Sequence, residues 1–149
     1  MVLVAGCLPA DADGGEGGAV DSTIDSPAAY EAALEPLQER SDVLEERFGA
    51  VQGEGYRGPG QVRRVLAEII PEYAVLLDET RAIEVEGTDL EKAHDLLLAS
   101  LERQQEGLEL ALQGLEEGDT VLVAEGGQAL KQAQALVRKH RRLLARARD

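Results

Sequence analysis

An all-α fold, an up-down-up-down four-helix bundle reached through a disordered N-terminal tether, is predicted by three observations. Ala, Leu, Glu, Gln and Arg dominate the chain, and aromatic residues make up only 3% of it; these abundant types are the strong helix formers. Apolar residues recur in alternating steps of four and three, the period of helices packed in a bundle. Capping and stop signals divide that pattern into four segments joined by short connections. A chain of 149 residues is long enough to bury a core without disulfide staples.

The first helix starts at Ser26-Pro27, hydroxyl N-cap followed by proline at the first helical position. Tyr30, Leu34, Leu37, Leu44, Phe48 and Val51 form its stripe, with Ser41 in phase. Pro36 lies inside the run and is expected to bend the helix or delay its start. After the loop GEGYRGPG, a second stripe runs through Val62, Leu66, Ile69, Tyr73, Leu76, Thr80 and Ile83, again crossing a proline, Pro71, without losing phase.

Thr88-Asp89-Leu90-Glu91 has the form of a capping box, with Thr88 as N-cap and Glu91 reaching back. Its helix carries Leu90, His94, Leu97, Leu101, Gln104, Leu108, Ala111 and Leu115, and Gly118 is its stop. Asp119 then caps a fourth helix bearing Leu122, Gly126, Ala129, Ala133, Leu136, His140, Leu143 and Ala147. Val123, Leu130, Val137 and Leu144 widen that face, and Gly126-Gly127 would let a neighbour approach closely. The domain is expected to span 26–149. A three-helix bundle, or a dimer that completes the core between chains, is the architectural alternative.

The formal charge is −14, which argues against nucleic acid as a partner because phosphates require a basic surface. From Gln128 the sign reverses: Lys131, Arg138, Lys139, Arg141, Arg142, Arg146 and Arg148 face Asp149 alone. In an up-down bundle this basic end lies beside the start of the first helix. Exposed cations there could contact an anionic lipid surface or a partner, each worth about 1 kcal/mol at a membrane. Glu84, Glu86, Asp89, Glu91 and Asp95 are expected at the same end, and pairing of the cations with them is favoured over lipid contact.

The two histidines also lie on apolar stripes. Folding the third and fourth helices about Gly118 brings His94 and His140 to heights that differ by about 3 Å. Asp78 and Glu91 are the carboxylates that could complete a mononuclear metal site with them. Glu91-Lys92-Ala93-His94 is an ExxH, as in ferritin-like di-iron bundles, but Val137 stands where a second such motif would need its glutamate. Histidines as boundary residues on a helix face near a bundle end, with a hydrogen bond, are the simpler expectation. Gly53-Glu54-Gly55-Tyr56-Arg57-Gly58 matches GxGxxG by letters, but a helix precedes it where a phosphate cradle needs a strand. No nucleophile with a neighbouring base can be assembled from the serines, so no catalytic residues and no enzyme activity are expected.

The residues Val4-Ala5-Gly6-Cys7 place small side chains before the one cysteine, and an Asp/Gly-rich run follows from Leu8 to Asp25. This resembles the lipobox of bacterial lipoproteins, with residues 1–7 as a truncated signal peptide whose basic n-region is expected upstream. The resemblance implies cleavage before Cys7 and a covalent diacylglycerol/acyl lipid on its sulfur, with no other cofactor. Residues 8–25 would then be a solvated linker of roughly 20–25 Å r.m.s. span. A lipid-anchored, extracytoplasmic protein with a non-enzymatic helical interaction domain is the expected function. Its partners would be the membrane, through the anchor, and a protein of the cell envelope. A metal-binding or sensing bundle built on His94 and His140, and a soluble intracellular helical adaptor, are the alternatives.

Overall fold

A computed structural model describes residues 23–149; Cys7 and the expected linker up to residue 22 lie outside the described residues. Four helices follow one another: α1 (Pro27–Gly49), α2 (Pro59–Arg81), α3 (Thr88–Glu117) and α4 (Thr120–Ala147), with a single 3-10 turn at Gly53–Gly55 between the first two. They form the expected antiparallel four-helix bundle.

The local signals act largely as expected. The Ser26 hydroxyl accepts from the Ala29 amide at 3.3 Å with Pro27 opening the helix. Pro36 and Pro71 are both accommodated inside continuous helices. Gly118 ends α3 at φ 69°, in the left-handed region that glycine adopts without strain. The Asp119 carboxylate caps α4 by accepting from the amides of Val121 and Leu122.

Two boundaries differ. The N-cap of α3 is Gly87 at φ 108°, and Thr88 is the first helical residue. Glu91 still reaches back, accepting from the Gly87 amide at 3.2 Å. The chain must swing sharply from the preceding connection into α3, and at that angle glycine takes the cap position that threonine would occupy with strain. Secondly, the last residues assigned to the linker belong with the bundle. Ile24 forms a parallel bridge with Val85: its amide donates to Glu84 O at 2.9 Å and its carbonyl accepts from the Glu86 amide at 2.8 Å. Ile24 and Val85 then pack on the buried Tyr30, Leu90 and Leu144.

The bundle is asymmetric in its packing. Large side chains separate α1, α2 and α3, where Leu44, Leu66, Ile69, Tyr73, Leu76, Leu108 and Ala111 make the principal core. Small residues join α3 to α4. Buried Ala93, Ser100, Gly107 and Gly114 recur every seven residues along α3, opposite buried Gly126, Ala133 and His140 at the same spacing on α4. The two backbones touch: a Cβ on Gly126 would stand 2.6 Å from Gly107 O, and one on Gly114 would stand 2.7 Å from the Val123 amide. The α1–α4 seam, by contrast, is loosely packed.

The two glycines of α4 separate the packing requirement from helix propensity. Gly126→Ala drives a methyl into the α3 backbone and is expected to destabilise by about 2–3 kcal/mol. Gly127 has nothing within 4 Å of its would-be Cβ, so Gly127→Ala should stabilise by about 0.5–1 kcal/mol. Urea unfolding of the two variants should shift the midpoint in opposite directions; equal shifts would refute the contact.

Candidate functional site

The described residues converge in one place, where α1, α3 and α4 meet near the start of α1. Tyr30 is fully buried, and His94 and His140 are nearly so at 7% and 6% exposure. The Tyr30 ring meets both imidazoles edge-on, with centroids 5.7 Å from His94 and 6.1 Å from His140. The fold thus brings the two histidines together as expected from their heights. Their shared neighbour is a phenol.

Each ring has one defined bond. His140 Nδ1 lies 2.7 Å from Ala93 O, and because a carbonyl only accepts, Nδ1 carries the proton and donates it. In the neutral ring Nε2 therefore keeps its lone pair. The close α3–α4 approach makes this bond possible, since Ala93 is part of the small-residue row. His94 Nδ1 lies 3.1 Å from the Tyr30 hydroxyl; with Nδ1 unprotonated, the phenol donates. His94 Nε2 is buried without a hydrogen-bond partner. Burial is the largest cause lowering both histidine pKa values. For His94 the Asp95 carboxylate opposes it; for His140 the bond to Ala93 does. The Tyr30 hydroxyl is pushed far up by burial and stays protonated.

The expected carboxylates are elsewhere. Asp78 is exposed and pairs with Arg81 on its own helix at 3.3 Å, while Glu91 is engaged at the start of α3. Among the described residues no three His, Cys, Asp or Glu side chains form a group suited to hold a metal ion. Ser100 donates its hydroxyl to Leu97 O at 2.6 Å. The GEGYRG run is the connection between α1 and α2, as its preceding helix implied.

From His140 a cleft runs along the α1–α4 seam. It comprises two adjoining cavities of about 340 and 570 Å³ that share Glu45, Gln104, Val137 and Arg141. Leu37, Leu97, Leu101 and Val137 line it and remain half-buried, although their spacing marks them as core positions. Its two lips have opposite charge. Glu31, Glu35, Asp42 and Glu45 stand on α1, and Arg138 and Arg141 on α4. Glu31 and Arg148 close one end as an ion pair.

That pair also corrects the expected neutralisation of the basic end. Arg138, Lys139, Arg141, Arg142, Arg146 and Arg148 are all exposed. Arg148 pairs with α1, and the other five form no ion pair among the described residues, either with Glu84, Glu86, Asp89, Glu91 and Asp95 or with any other carboxylate. The start of α3 does pack against the last turns of α4, through Ala93 and His140 and through Leu90 and Leu144, so these acids and cations share one end of the bundle without coming within ion-pair distance. Sequence reasoning missed Tyr30 as a site residue, though its position in the first turn of α1, at the same end as His94, was the available signal. It also missed the cleft, because periodicity marks a residue as inward-facing without saying whether a neighbour closes over it.

Two tests follow. Tyr30→Phe leaves His94 Nδ1 without its partner and is expected to cost about 1–3 kcal/mol in urea unfolding. Because burial lowers both histidine pKa values, the unfolded chain takes up protons first on acidification. Stability is therefore complete above the unfolded value of about 6.5 and falls as pH drops below it, by up to about 1.4 kcal/mol per pH unit for each ring. His94→Gln and His140→Gln should each flatten the stability profile between pH 7.5 and 5.5; a slope unchanged in both contradicts the assignment.

In comparisons with known proteins the chain matches no family model, no curated sequence and no solved structure.

Proposed function

We propose that this chain is a non-enzymatic interaction module held outside the cytoplasm by lipid on Cys7, with the α1–α4 cleft as its binding surface. The observation that carries the binding part is the cleft itself. Half-buried Leu37, Leu97, Leu101 and Val137 line it between charged lips, and a concave apolar surface with polar edges is the usual form of a recognition site. The anchoring part rests on the lipobox-like Val4-Ala5-Gly6-Cys7 and on the position of the bundle's entry. The chain enters at Thr23–Ser26, beside the last turn of α4, so a tether from Cys7 would hold this end towards a membrane. No described helix is long and apolar enough to cross a bilayer itself.

Binding fits the chemistry better than catalysis. Among the described residues, the hydroxyls of Ser100 and Thr80, which line the cleft with His140, donate to Leu97 O and Leu76 O, and burial lowers the basicity of the imidazole. The acidic bulk of the chain, −14 overall, disfavours nucleic acid as the partner.

Mass spectrometry of material from the native host tests the anchor. The expected product begins at Cys7, carries a thioether-linked diacylglycerol and partitions into detergent, and Cys7→Ser abolishes all three. Recovery of an intact Met1 and a free thiol from the aqueous phase would overturn the anchoring.

A further inference from the structure

We infer that the α1–α4 cleft receives an amphipathic helix of a partner protein, apolar along one stripe, basic along one flank and acidic along the other. The inference rests on the cleft being a binding surface and adds the chemistry of its occupant.

Shape comes first. From Glu31 to Phe48 the cleft follows α1 for roughly 25 Å, about five helical turns. Its floor belongs to α2 and α3 through Leu76, Leu101, Gln104 and Leu108. A long trough between two helices, lined by leucines at three- and four-residue spacing, accepts a further helix by the ridge-and-groove packing that built the rest of the bundle. The half-buried leucines are the positions such a helix would cover.

Charge then selects among helices. Glu31, Glu35, Asp42 and Glu45 follow steps of four, seven and three along α1 and so share one face of it. Across the trough stand Arg138 and Arg141. Apart from Glu31, bound to Arg148, these lip charges form no ion pair with one another or with any other described residue. Asp42 accepts only from Gln38. Arg141 acts on the Glu45 carboxylate across the trough, but the two form no ion pair, and an inserted helix with cations towards α1 and carboxylates towards α4 would satisfy both lips. Reversing that helix end for end exchanges its flanks, so the lips also fix the direction in which it lies. A negatively charged lipid surface fits less well, since the acidic lip would face it beside the basic one.

Three synthetic 18-residue peptides with the same leucine stripe test this by fluorescence anisotropy against the unlipidated full chain. One has a Lys flank and a Glu flank, one has Lys on both flanks, and one has Glu on both. The mixed peptide is expected to bind at least tenfold more tightly than either other, although the net charge of the chain favours the all-Lys peptide. The double variant Arg138→Glu/Arg141→Glu, which changes exposed side chains only, should reverse that order in favour of the all-Lys peptide. Tighter binding of the all-Lys peptide to the unaltered chain, no saturable binding by any peptide up to 1 mM, or an order insensitive to the double variant each overturns the inference. So does a dimer by light scattering, or sedimentation with phosphatidylglycerol vesicles, that the double variant abolishes; a second copy or a lipid surface would then be the occupant. The state of Cys7 is read separately by mass, so a failure here leaves the anchoring untouched.

Discussion

The contact between the backbones of α3 and α4 sets the geometry of everything around it. Gly107, Gly114 and Gly126 leave no side chain between the helices, and Ala93, Ser100 and Ala133 continue the row with small ones. Helix separation follows the size of the side chains at the contact, from about 8 to 10 Å. One pair at the short limit, in a bundle whose other pairs are spaced by leucine, isoleucine and tyrosine, cannot be regular in cross-section. The same approach brings Ala93 O to His140 Nδ1 at 2.7 Å. Without it the imidazole would be a buried ring with no fixed tautomer.

The mismatch emerges along the opposite seam. There α1 packs against α2 through Leu44 and, at its first turn, meets the α3–α4 pair through Tyr30. Arg47 ties α1 further to α2 through Glu68 and Glu72, though exposed pairs of this kind contribute little each. Beyond the Tyr30 contact, α1 stands away from α4, and half-buried leucines with unpaired charges above them are the result. The chain has spent its small residues on one interface and left apolar surface on another. Such surface lowers stability in isolation, and a partner that covered it would recover that loss.

The histidine cluster and the cleft are physically linked. His140 and Leu144 belong to both the closed end and the cleft wall, and Tyr30 is the first α1 residue on that stripe. A proton taken up by either imidazole would place charge beside a buried phenol, at the contact between the first turn of α1 and the α3–α4 pair.

What the sequence determined by itself was local and periodic. Ser26-Pro27, Gly118 and Asp119 fixed helix ends through bonds made within four residues, and the stripes fixed which face of each helix turns inward. Gly126 was legible as a point of close approach, and the common height of His94 and His140 followed from counting residues back from one turn. What only the tertiary structure decided were distances between elements far apart in sequence. Gly127 resembles Gly126 as text but meets nothing, because one residue along a helix is a rotation of about 100°. Thr88 yielded its cap to Gly87, whose φ of 108° at the entry to α3 is one that glycine adopts without strain. Tyr30 joined the histidines, and Leu37, Leu97, Leu101 and Val137 were left uncovered, because inter-helix spacing depends on the summed sizes of facing side chains. A one-dimensional pattern gives the direction of a side chain; only the packed helices give what it meets.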